Sequence, residues 1–419
     1  MIALEAAAPG RLLQRPGDRM ATDGAAAGVP ARVLLVHNRY QQPGGEDAVV
    51  ADEMRMLQQN GVQVELYERH NEQVAAISVA RLAAGTVWST RTTADLDRTI
   101  GRFRPDVIHA HNTFPLISPS LYYGAAAHQI PVVQTLHNFR LFCAQAMLMR
   151  DGAVCEDCVG TLPWRGVLRR CYRGSMAQSA VLVAMLGAHR ALGSYQRRVT
   201  RYIALNRFCR DKFIEGGLPA ERIAIKPNFV DLPAPGAAGE RSGALFVGRL
   251  SPEKGIGVLA DAARLLPNPG LEVIGDGPET GRLHDMPGVH LAGRQAPAQI
   301  YSRMRTAAFL LLPSIWYENF PRVLVEAFAC GLPVIASRLG AMAELIEEGV
   351  TGLLFAPGDA RDLADKLAWA QAHPESMRRM GKSAREVYER NYTSAVNFAQ
   401  LSAIYREAMT PSPQTQRGA

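Results

Sequence analysis

The chain has 419 residues, of which 47% are hydrophobic and 20% charged, and its formal net charge is +7. This composition predicts a globular protein rather than a disordered one, and the length exceeds that of one ordinary core, so two domains are expected. The apolar runs are too short, or too interrupted by arginine, to cross a bilayer, which argues against a transmembrane helix.

Residues 1–30 are rich in Ala, Gly and Pro and lack the continuous apolar core of a signal peptide. We expect a disordered leader there and a disordered tail at 411–419. Without a secretory signal, the protein is expected to be cytoplasmic, where cysteines stay reduced.

An apolar strand from Arg32 to His37 opens the first domain and leads through Gly44 and Gly45 into a helix. A glycine-rich loop between a strand and a helix lets the backbone approach a phosphate, although an ordinary turn also uses two glycines. The loop lacks the full Gly-x-Gly-x-x-Gly of a dinucleotide-binding oxidoreductase. Further apolar runs predict parallel strands at 62–66, 107–109 and 132–136, so this part is expected to be Rossmann-like.

Three histidines lie at the ends of these strands: His109, His111 and His137. A single histidine in this position is more often a hydrogen-bonded structural residue than a catalyst. The residues alone therefore leave both interpretations open.

Four of the six cysteines are close together in the sequence: Cys143, Cys155, Cys158 and Cys171. Only Cys155 and Cys158 have the two-residue gap that lets two thiolates meet one tetrahedral metal ion. The set is compatible with a structural zinc site. It is also compatible with four reduced cysteines packed in a loop, or with transient disulfides.

Between Trp164 and Lys212 the chain has eleven Lys or Arg residues and one acid, Asp211. Interleaved apolar residues favour a basic amphipathic surface that lies on anionic lipid. A solvated helix face is the usual alternative, and nucleic acid is a second. Since no nucleic-acid motif occurs elsewhere, we expect peripheral contact with the inner face of the membrane and no nucleic-acid partner.

A segment rich in Pro and Gly over 226–236 predicts the linker between the domains. Strands alternate with helices after it, which is the doubly wound pattern. These strands are expected near 244–247, 271–275, 289–292, 308–312, 333–336 and 353–355.

The first strand of the second domain is followed by a loop that carries Arg249 and Lys254. Two fixed cations at the C-terminal end of a strand can neutralise a diphosphate, and open α/β sheets bind ligands there. On their own, an Arg and a Lys in a loop are more often simply solvated.

Two glutamates, Glu318 and Glu326, flank a helix start, with seven residues between them. Pro321 fits the first position of this helix and Gly331 its end. A helix N-terminus favours phosphate and a carboxylate accepts hydrogen bonds from hydroxyls, so the arrangement suits a sugar attached to a nucleoside diphosphate. An amphipathic helix with a solvated glutamate at each end is the alternative.

The loop Gly248–Gly255 and the later run Glu318–Ala336 resemble the signature segments of family 4 glycosyltransferases, which are retaining enzymes of the GT-B fold. The resemblance extends from residue 32 to 408. It includes a Lys-Pro-Asn hinge at 226–228, and it points to a subset of the family with cysteines after His-Asn-Phe-Arg.

This resemblance implies an α/β fold of GT-B architecture, in which two Rossmann-like doubly wound domains face a cleft and a C-terminal helix crosses back. The implied segments are an acceptor-side domain over 31–227 with a cysteine-containing excursion over 139–175, a nucleotide-sugar-binding domain over 228–390 and a crossover helix over 391–410.

The resemblance also implies the roles of individual residues. The implied catalytic residues are His137, Arg249, Lys254 and Glu318. The implied donor-binding residues are Gly44, Gly45, Gly248, Asn319, Phe320, Pro321 and Glu326. His111 ranks behind His137 and either faces the acceptor or is structural. Catalysis is expected to need no metal cofactor, because the obvious Asp-x-Asp, Asp95-Leu96-Asp97, lies in a predicted helix.

The expected function is the retaining transfer of a sugar from a nucleotide-diphosphate donor to a hydroxyl of a glycan or lipid-linked acceptor. Such a reaction belongs to the assembly of cell-surface polysaccharide or glycolipid. The alternative is a catalytically inactive protein that only binds nucleotide sugars. An inactive scaffold would lose the two cations or the two glutamates, and all four are present.

Overall fold

The computed structural model describes residues 29–41, 44–232 and 239–410. The predicted tail, 411–419, and residues 1–28 of the predicted leader lie outside this part of the chain. Within the described part, no helix has both the length and the apolar character that crossing a bilayer requires.

The N-terminal half contains a six-stranded parallel sheet in the order β2-β1-β3-β4-β7-β8, with a small antiparallel hairpin of β5 and β6 outside it. The strands are β1 Arg32–Arg39, β2 Gln63–His70, β3 Val107–Asn112, β4 Val132–Thr135, β5 Met149–Arg150, β6 Ala153–Val154, β7 Arg201–Ala204 and β8 Ile223–Ile225. The helices are α1 Gly45–Gln59, α2 Val79–Val87, α3 Thr90–Phe103, α4 Leu121–Ala127, α5 Arg165–Leu168, α6 Met176–Ala191, α7 Ser194–Arg197 and α8 Arg207–Glu215.

The C-terminal half contains a second six-stranded parallel sheet in the order β11-β10-β9-β12-β13-β14. Its strands are β9 Ala244–Val247, β10 Leu271–Ile274, β11 Val289–Gly293, β12 Phe309–Leu312, β13 Val334–Ser337 and β14 Gly352–Phe355. The helices are α9 Ile256–Arg264, α10 Pro297–Thr306, α11 Arg322–Ala329, α12 Ala341–Leu345, α13 Ala360–Ala372, α14 Pro374–Asn391 and α15 Ser394–Met409. Short 3-10 helices occupy Asn71–Ala76, Ala220–Arg222, Pro252–Lys254 and Thr280–Arg282.

Both sheets are buried on their two faces, as parallel sheets require. Successive residues of β1 point to opposite cores: Leu34 and Val36 belong to one hydrophobic cluster, while Val33 and Leu35 belong to another. The apolar runs that predicted the strands are therefore continuous rather than alternating. The expected α/β architecture of two doubly wound domains is confirmed.

In each sheet, the order in which successive strands are added reverses direction at one place. In the second sheet the chain goes outward from β9 to β10 and β11, and then returns to place β12 on the other side of β9. Such a reversal leaves a crevice at the carboxyl ends of the two central strands, where doubly wound proteins bind their ligands. In the first sheet the corresponding crevice lies between β1 and β3.

Helix α15 packs on the N-terminal sheet although it follows the C-terminal domain. Leu401, Ile404 and Tyr405 share a hydrophobic cluster with Val33 and Leu35 of β1. This arrangement confirms the expectation that the last helix crosses back.

The prediction of one basic amphipathic surface over Trp164–Lys212 is wrong for the middle of that stretch. The apolar residues of α6 point inward and are buried in the N-terminal core: Leu182, Val183, Met185 and Leu186. The arginine-flanked segment that follows contributes β7, a buried strand that the sequence interpretation missed. Exposed arginines remain at both ends of α5, the short helix Arg165–Leu168.

Candidate active site

The loop after β9 carries the two cations and is held tightly against the end of β12. Gly255 has φ +72°, and a Cβ atom at this position would lie 1.8 Å from the carbonyl oxygen of Pro313. Only glycine permits this approach, so the loop can place Lys254 beside the segment that follows β12. The strand reversal thus brings residues from both sides of the crevice together.

Lys254 and Glu318 form an ion pair in this crevice. The Lys254 Nζ atom donates to Glu318 Oε1 at 2.8 Å, and Ser314 Oγ donates to the same oxygen at 2.5 Å. Glu318 is only 5% exposed. Two of the predicted catalytic side chains therefore meet, and both hydrogen bonds use a single carboxylate oxygen.

The second glutamate, Glu326, is held on α11 by a different cation. Arg322 Nε donates to Glu326 Oε1 at 3.0 Å, and Tyr301 Oη donates to it at 3.4 Å. Burial raises the pKa of Tyr301 to about 12, and the charge of Glu326 acts in the same direction. Helix α11 begins at Arg322, so Pro321 is its N-cap rather than its first helical residue.

Arg322 also links the two domains. Its Nη1 atom lies 2.6 Å from Oδ2 of Asp52, which belongs to α1 of the N-terminal domain. The motif residues beside it make further contacts: the Asn319 carbonyl accepts a hydrogen bond from the Asn206 side chain, and Phe320 packs edge-on against Tyr392.

Arg249 stands apart from the Lys254–Glu318 pair. Its side chain is exposed and has no acidic partner among the described residues. It lines a cavity together with Ser251, Pro252 and Glu253, and residues 149–152 of the β5–β6 hairpin form the opposite wall. A cation without a carboxylate partner at a ligand crevice is available to an anion.

In the N-terminal domain, Asp47 of α1 contacts both the residue before this helix, Gly44, and His37 of β1. The Gly44 amide donates to Asp47 Oδ2 at 2.7 Å, and Asp47 Oδ1 lies 2.8 Å from His37 Nε2. The Gly44 amide therefore already donates to a carboxylate, whereas the glycine-loop interpretation directed the backbone of this loop at a phosphate. Gly45 is the first residue of α1 and is exposed.

Behind this loop, buried polar groups form a continuous chain that we call the histidine relay: Lys226, Glu53, His111 and His137. Lys226 Nζ donates to Glu53 Oε1 at 2.6 Å, and Glu53 Oε2 lies 3.2 Å from His111 Nε2. His111 Nδ1 then lies 2.9 Å from His137 Nε2. Of the four residues, His137 is the one that is partly exposed.

The electrostatics of this chain keep its histidines neutral. Burial lowers the pKa of His137 well below its ordinary value, and the neighbouring His111 lowers it further. Burial also lowers the pKa of His111. Burial acts to raise the pKa of Glu53, but Lys226 and His111 outweigh it and hold that pKa well below its ordinary value.

Glu53, His109 and His111 bring three possible metal ligands within 4.8 Å of one another. Both ring nitrogens of His109 already have partners at 2.8 Å, the hydroxyls of Tyr405 and Thr135. The Glu53 carboxylate is paired with the Lys226 ammonium. An ion at this place would have to displace the two hydrogen bonds of His109 and the Lys226 ammonium, although Glu53 Oε2 and His111 Nε2 have no hydrogen-bond partner among the described residues.

The four clustered cysteines are also brought together, at a distance from the glutamates. Cys143, Cys155, Cys158 and Cys171 line one small pocket, and none of them forms a disulfide. Burial raises the pKa of Cys158 to about 11, with additional contributions from the other three thiols. Asp95 and Asp97 lie in α3, as expected, and Asp95 accepts a hydrogen bond from Tyr67.

Sequence reasoning missed Glu53, Lys226 and Arg322. Glu53 had a usable signal, because it occupies the centre of an apolar helical stripe in which Val49, Val50, Met56 and Leu57 are buried. A charged residue at such a core position needs a buried partner. Arg322 is four residues before Glu326, the spacing of a helical ion pair.

Two families match this chain, one over each half. The family described as Glycosyltransferase Family 4 matches residues 43–233, and the family described as Glycosyl transferases group 1 matches residues 232–387.

The chain is 37% identical over 182 residues to a D-inositol 3-phosphate glycosyltransferase of Corynebacterium efficiens, covering 39% of this chain and 42% of that protein. It is 31% identical over 225 residues to the amylovoran biosynthesis glycosyltransferase AmsK of Erwinia amylovora, covering 48% of this chain and 55% of that protein. The matched region thus spans about half the length of these curated relatives.

Among solved structures, Anabaena HepE in complex with UDP is similar, with a TM-score of 0.61 and 18% sequence identity. The match covers 89% of this chain and 98% of that protein. At this identity the similarity shows the fold, which is the GT-B fold.

Proposed function

Because the chain belongs to the family 4-like glycosyltransferases of the GT-B fold, we propose that it transfers a sugar, with retention, from a nucleoside-diphosphate donor to a hydroxyl of a glycan or lipid-linked acceptor. The observation that carries this proposal is the Lys254–Glu318 pair at the strand reversal, together with Arg249 on the same loop, which has no acidic partner in the described part of the chain. This arrangement offers cations to a diphosphate and a carboxylate to sugar hydroxyls within one crevice.

The donor diphosphate is proposed to lie against Arg249, Lys254 and the N-terminus of α11. These groups stabilise the negative charge that develops on the diphosphate as its bond to the anomeric carbon breaks. They would supply the role that a divalent cation has in other nucleotide-sugar enzymes, so no metal is assigned to the reaction. The proposal is supported by the position of Asp95 and Asp97 on α3 rather than at a strand end.

Glu318 is proposed to orient the sugar hydroxyls and Glu326 the ribose. Lys254 and Ser314 both bond to Oε1 of Glu318, so Oε2 remains for a substrate hydroxyl. The Asn319 side-chain amide is buried, and its Nδ2 atom has no protein partner within the described residues, so it offers a further donor. Gly248, next to Arg249, adds no side chain that would obstruct the diphosphate.

His137 is proposed to reach the donor sugar from the opposite domain. It follows β4, and the neighbouring β7 leads to Asn206, which contacts Asn319 across the cleft. If the Nε2–H of His111 points to Glu53, then His111 Nδ1 accepts from His137 Nε2–H. The Nδ1 atom of His137 is then an acceptor for a sugar hydroxyl.

For the chemical step, the acceptor hydroxyl attacks the anomeric carbon on the face from which the diphosphate leaves. The carbon–oxygen bond to the diphosphate breaks, the new glycosidic bond forms, and the acceptor proton passes to an oxygen of the departing diphosphate. This route gives retention without a carboxylate nucleophile, because attack and departure take place on the same face of the sugar. Glu318 and Glu326 are each paired with a cation and are assigned to orienting hydroxyls.

A cell-surface polysaccharide or glycolipid acceptor is proposed from the relatives and from one surface, which we call the basic surface: Trp164, Arg165, Leu168, Arg169, Arg170, Arg173 and Met176. AmsK is an amylovoran biosynthesis enzyme by name. On the basic surface, Trp164 is 53%, Leu168 64% and Met176 44% exposed, and the arginines among them are exposed as well. Exposed apolar side chains between arginines suit the interface of an anionic membrane.

The test is a screen of nucleotide sugars for release of nucleoside diphosphate by the purified protein, followed by three variants. Glu318→Gln should retain nucleotide binding and lower turnover by about 10²–10³-fold, the effect of removing one preorganised polar contact. Arg249→Ala should weaken both nucleotide binding and turnover. Arg264→Ala is the matched control, because this arginine is exposed on α9 and forms an ion pair with Asp261 of the same helix.

Wild-type turnover by a normally folded Glu318→Gln protein would contradict the assignment of the site. A wild-type protein that binds nucleoside diphosphates but turns over no donor, even with acceptors present, would instead support the inactive binding protein.

A further inference from the structure

We propose that Cys143, Cys155, Cys158 and Cys171 bind one zinc ion as a structural site. The four residues come from three separate stretches of the excursion between β4 and α6, yet all of them line the same small pocket. All four are partly buried and reduced. Four thiolates around one ion are one of the closed tetrahedral arrangements of structural zinc.

The pocket suits an ion rather than an organic ligand. Besides the cysteines and two arginines, Gln145, Met149, Ala144 and Gly166 line it, and one side is tight: a Cβ atom on Gly166 would lie 3.3 Å from the Cβ atom of Ala144. No three of the four sulfurs lie within 4.8 Å of one another. An ion would draw them inward, since zinc–sulfur bonds are about 2.3 Å long.

Two cations lie beside the pocket. Four thiolates and Zn²⁺ carry a net charge of about −2 at the site. Arg150 and Arg169 line the same pocket. Burial raises the pKa of Cys171, and the charges of these two arginines act in the opposite direction and favour its thiolate form. Each arginine also pairs with an aspartate, Arg150 with Asp151 and Arg169 with Asp157, so the thiolates share these cations with two carboxylates.

The backbone of the excursion has little regular structure to hold it in place. Between β4 and α6 regular structure is limited to the two-residue strands β5 and β6 and the one-turn helix α5. The described chain has nine non-glycine residues with positive φ, and five of them are in this excursion: Ala146, Leu148, Asp151, Arg170 and Arg173. Left-handed conformations of such residues cost free energy, so these conformations persist only where other contacts fix the backbone.

The zinc site would lie away from the Lys254–Glu318 pair, but it would stabilise one wall of the cavity beside Arg249. Cys143 and Cys155 flank the β5–β6 hairpin, whose residues 149–152 form the wall opposite Arg249. A zinc ion would therefore fix the position of this wall. The metal is structural, and its binding does not depend on the proposed glycosyl transfer.

The first experiment is metal analysis of the wild-type protein purified without chelators. We expect about one zinc per chain by mass spectrometry. Replacement by Co²⁺ should give the intense visible absorption of tetrahedral cobalt thiolate. A wild-type protein that contains no stoichiometric metal, and gains none when zinc is added with reductant, would overturn the proposal.

The second experiment compares variants. The double variant Cys155→Ser, Cys158→Ser should lose at least nine-tenths of the zinc, whereas Cys330→Ala should retain it, since Cys330 is buried at the end of α11 in the other domain. Unchanged zinc in the double variant would also overturn the proposal. Amide hydrogen exchange separates binding from misfolding: metal removal from the wild type should speed exchange in 139–175 and leave the strands of the second sheet unaffected.

Discussion

Three neutral histidines lie side by side in the N-terminal domain, and this has a consequence for stability. Burial is the main reason why the pKa values of His109, His111 and His137 are lowered. In the unfolded chain these groups bind protons below about pH 6.5, whereas in the folded protein they do not. The unfolded state therefore binds more protons at acidic pH, and acid destabilises the fold.

We predict that the free energy of unfolding is independent of these histidines above about pH 6.5 and falls as the pH is lowered below it. Each histidine contributes a slope of up to about 1.4 kcal/mol per pH unit. Glu53, whose pKa is held well below its ordinary value, adds a second loss only at lower pH, below about 4.3.

Urea denaturation at several pH values measures this dependence. His109→Gln is an informative variant, because a glutamine can still bond to the hydroxyls of Tyr405 and Thr135 but does not titrate. It should reduce the slope by about one proton. The same slope in wild type and His109→Gln would show that the acid sensitivity arises elsewhere.

The glutamates and cations of the site could be predicted at the residue scale because they stand within short motifs. The histidine relay could not, since Lys226 and Glu53 are 173 positions apart in the chain. Their contact depends on how α1 and the segment after β8 pack, which no local pattern specifies. The buried position of Glu53 was the available signal.

At the scale of elements, α1 and α11 belong to different domains and meet through one carboxylate. Asp52 on α1 contacts two arginines: Arg322 of α11, whose side chain is 20% exposed, and Arg55 of its own helix, whose side chain is 64% exposed. The carboxylate is nearly buried. The same acid therefore provides a comparison between a buried and an exposed ion pair.

We predict that Arg322→Ala lowers the free energy of unfolding by about 3 kcal/mol, because it leaves Asp52 and Glu326 without their buried partner. Arg55→Ala should cost less than about 1 kcal/mol, as solvent screens an exposed pair. Equilibrium denaturation of both variants checks the difference. Equal effects would show that Arg322 does not stabilise the contact between the domains.

Apolar runs predicted most strands of both sheets correctly, because buried parallel strands are continuously hydrophobic. Strand β7 was missed, since its first residue, Arg201, lies within the arginine-rich stretch Trp164–Lys212 that suggested a surface. In the structure Arg201 pairs with Glu407 of α15, while Tyr202, Ile203 and Ala204 are buried. A charged residue at the start of the strand thus led the sequence interpretation to place three buried residues on the surface.

At the scale of the whole molecule, the basic surface makes the N-terminal domain asymmetric. We predict that it holds the protein on anionic vesicles, because each arginine near such a surface contributes about 1 kcal/mol. Replacing Arg165, Arg169, Arg170 and Arg173 together by Gln should release the protein, and so should salt, which screens these charges over a distance of about 8 Å at physiological ionic strength.

Cosedimentation with vesicles measures this binding, and Arg378→Gln with Arg379→Gln on α14 is a control of the same chemistry in the C-terminal domain. Turnover of a water-soluble acceptor analogue should persist in the fourfold variant. Equal cosedimentation of the wild type and the fourfold variant at low salt would assign these arginines to ordinary solvation.

The chain passes between the domains twice, and the two passages touch. Asn397 of α15 donates to the carbonyl of Pro227 at 2.7 Å, and Lys226 donates both to Asn397 and to Glu53. Because the two connections are hydrogen-bonded to each other, we expect the domains to rotate most readily about an axis through this contact. Lys226, the first member of the histidine relay, lies at this contact and donates to the Glu53 carboxylate. A rotation of the domains about this contact would displace Lys226 and, through Glu53 and His111, would reach His137, which we propose contacts the donor sugar.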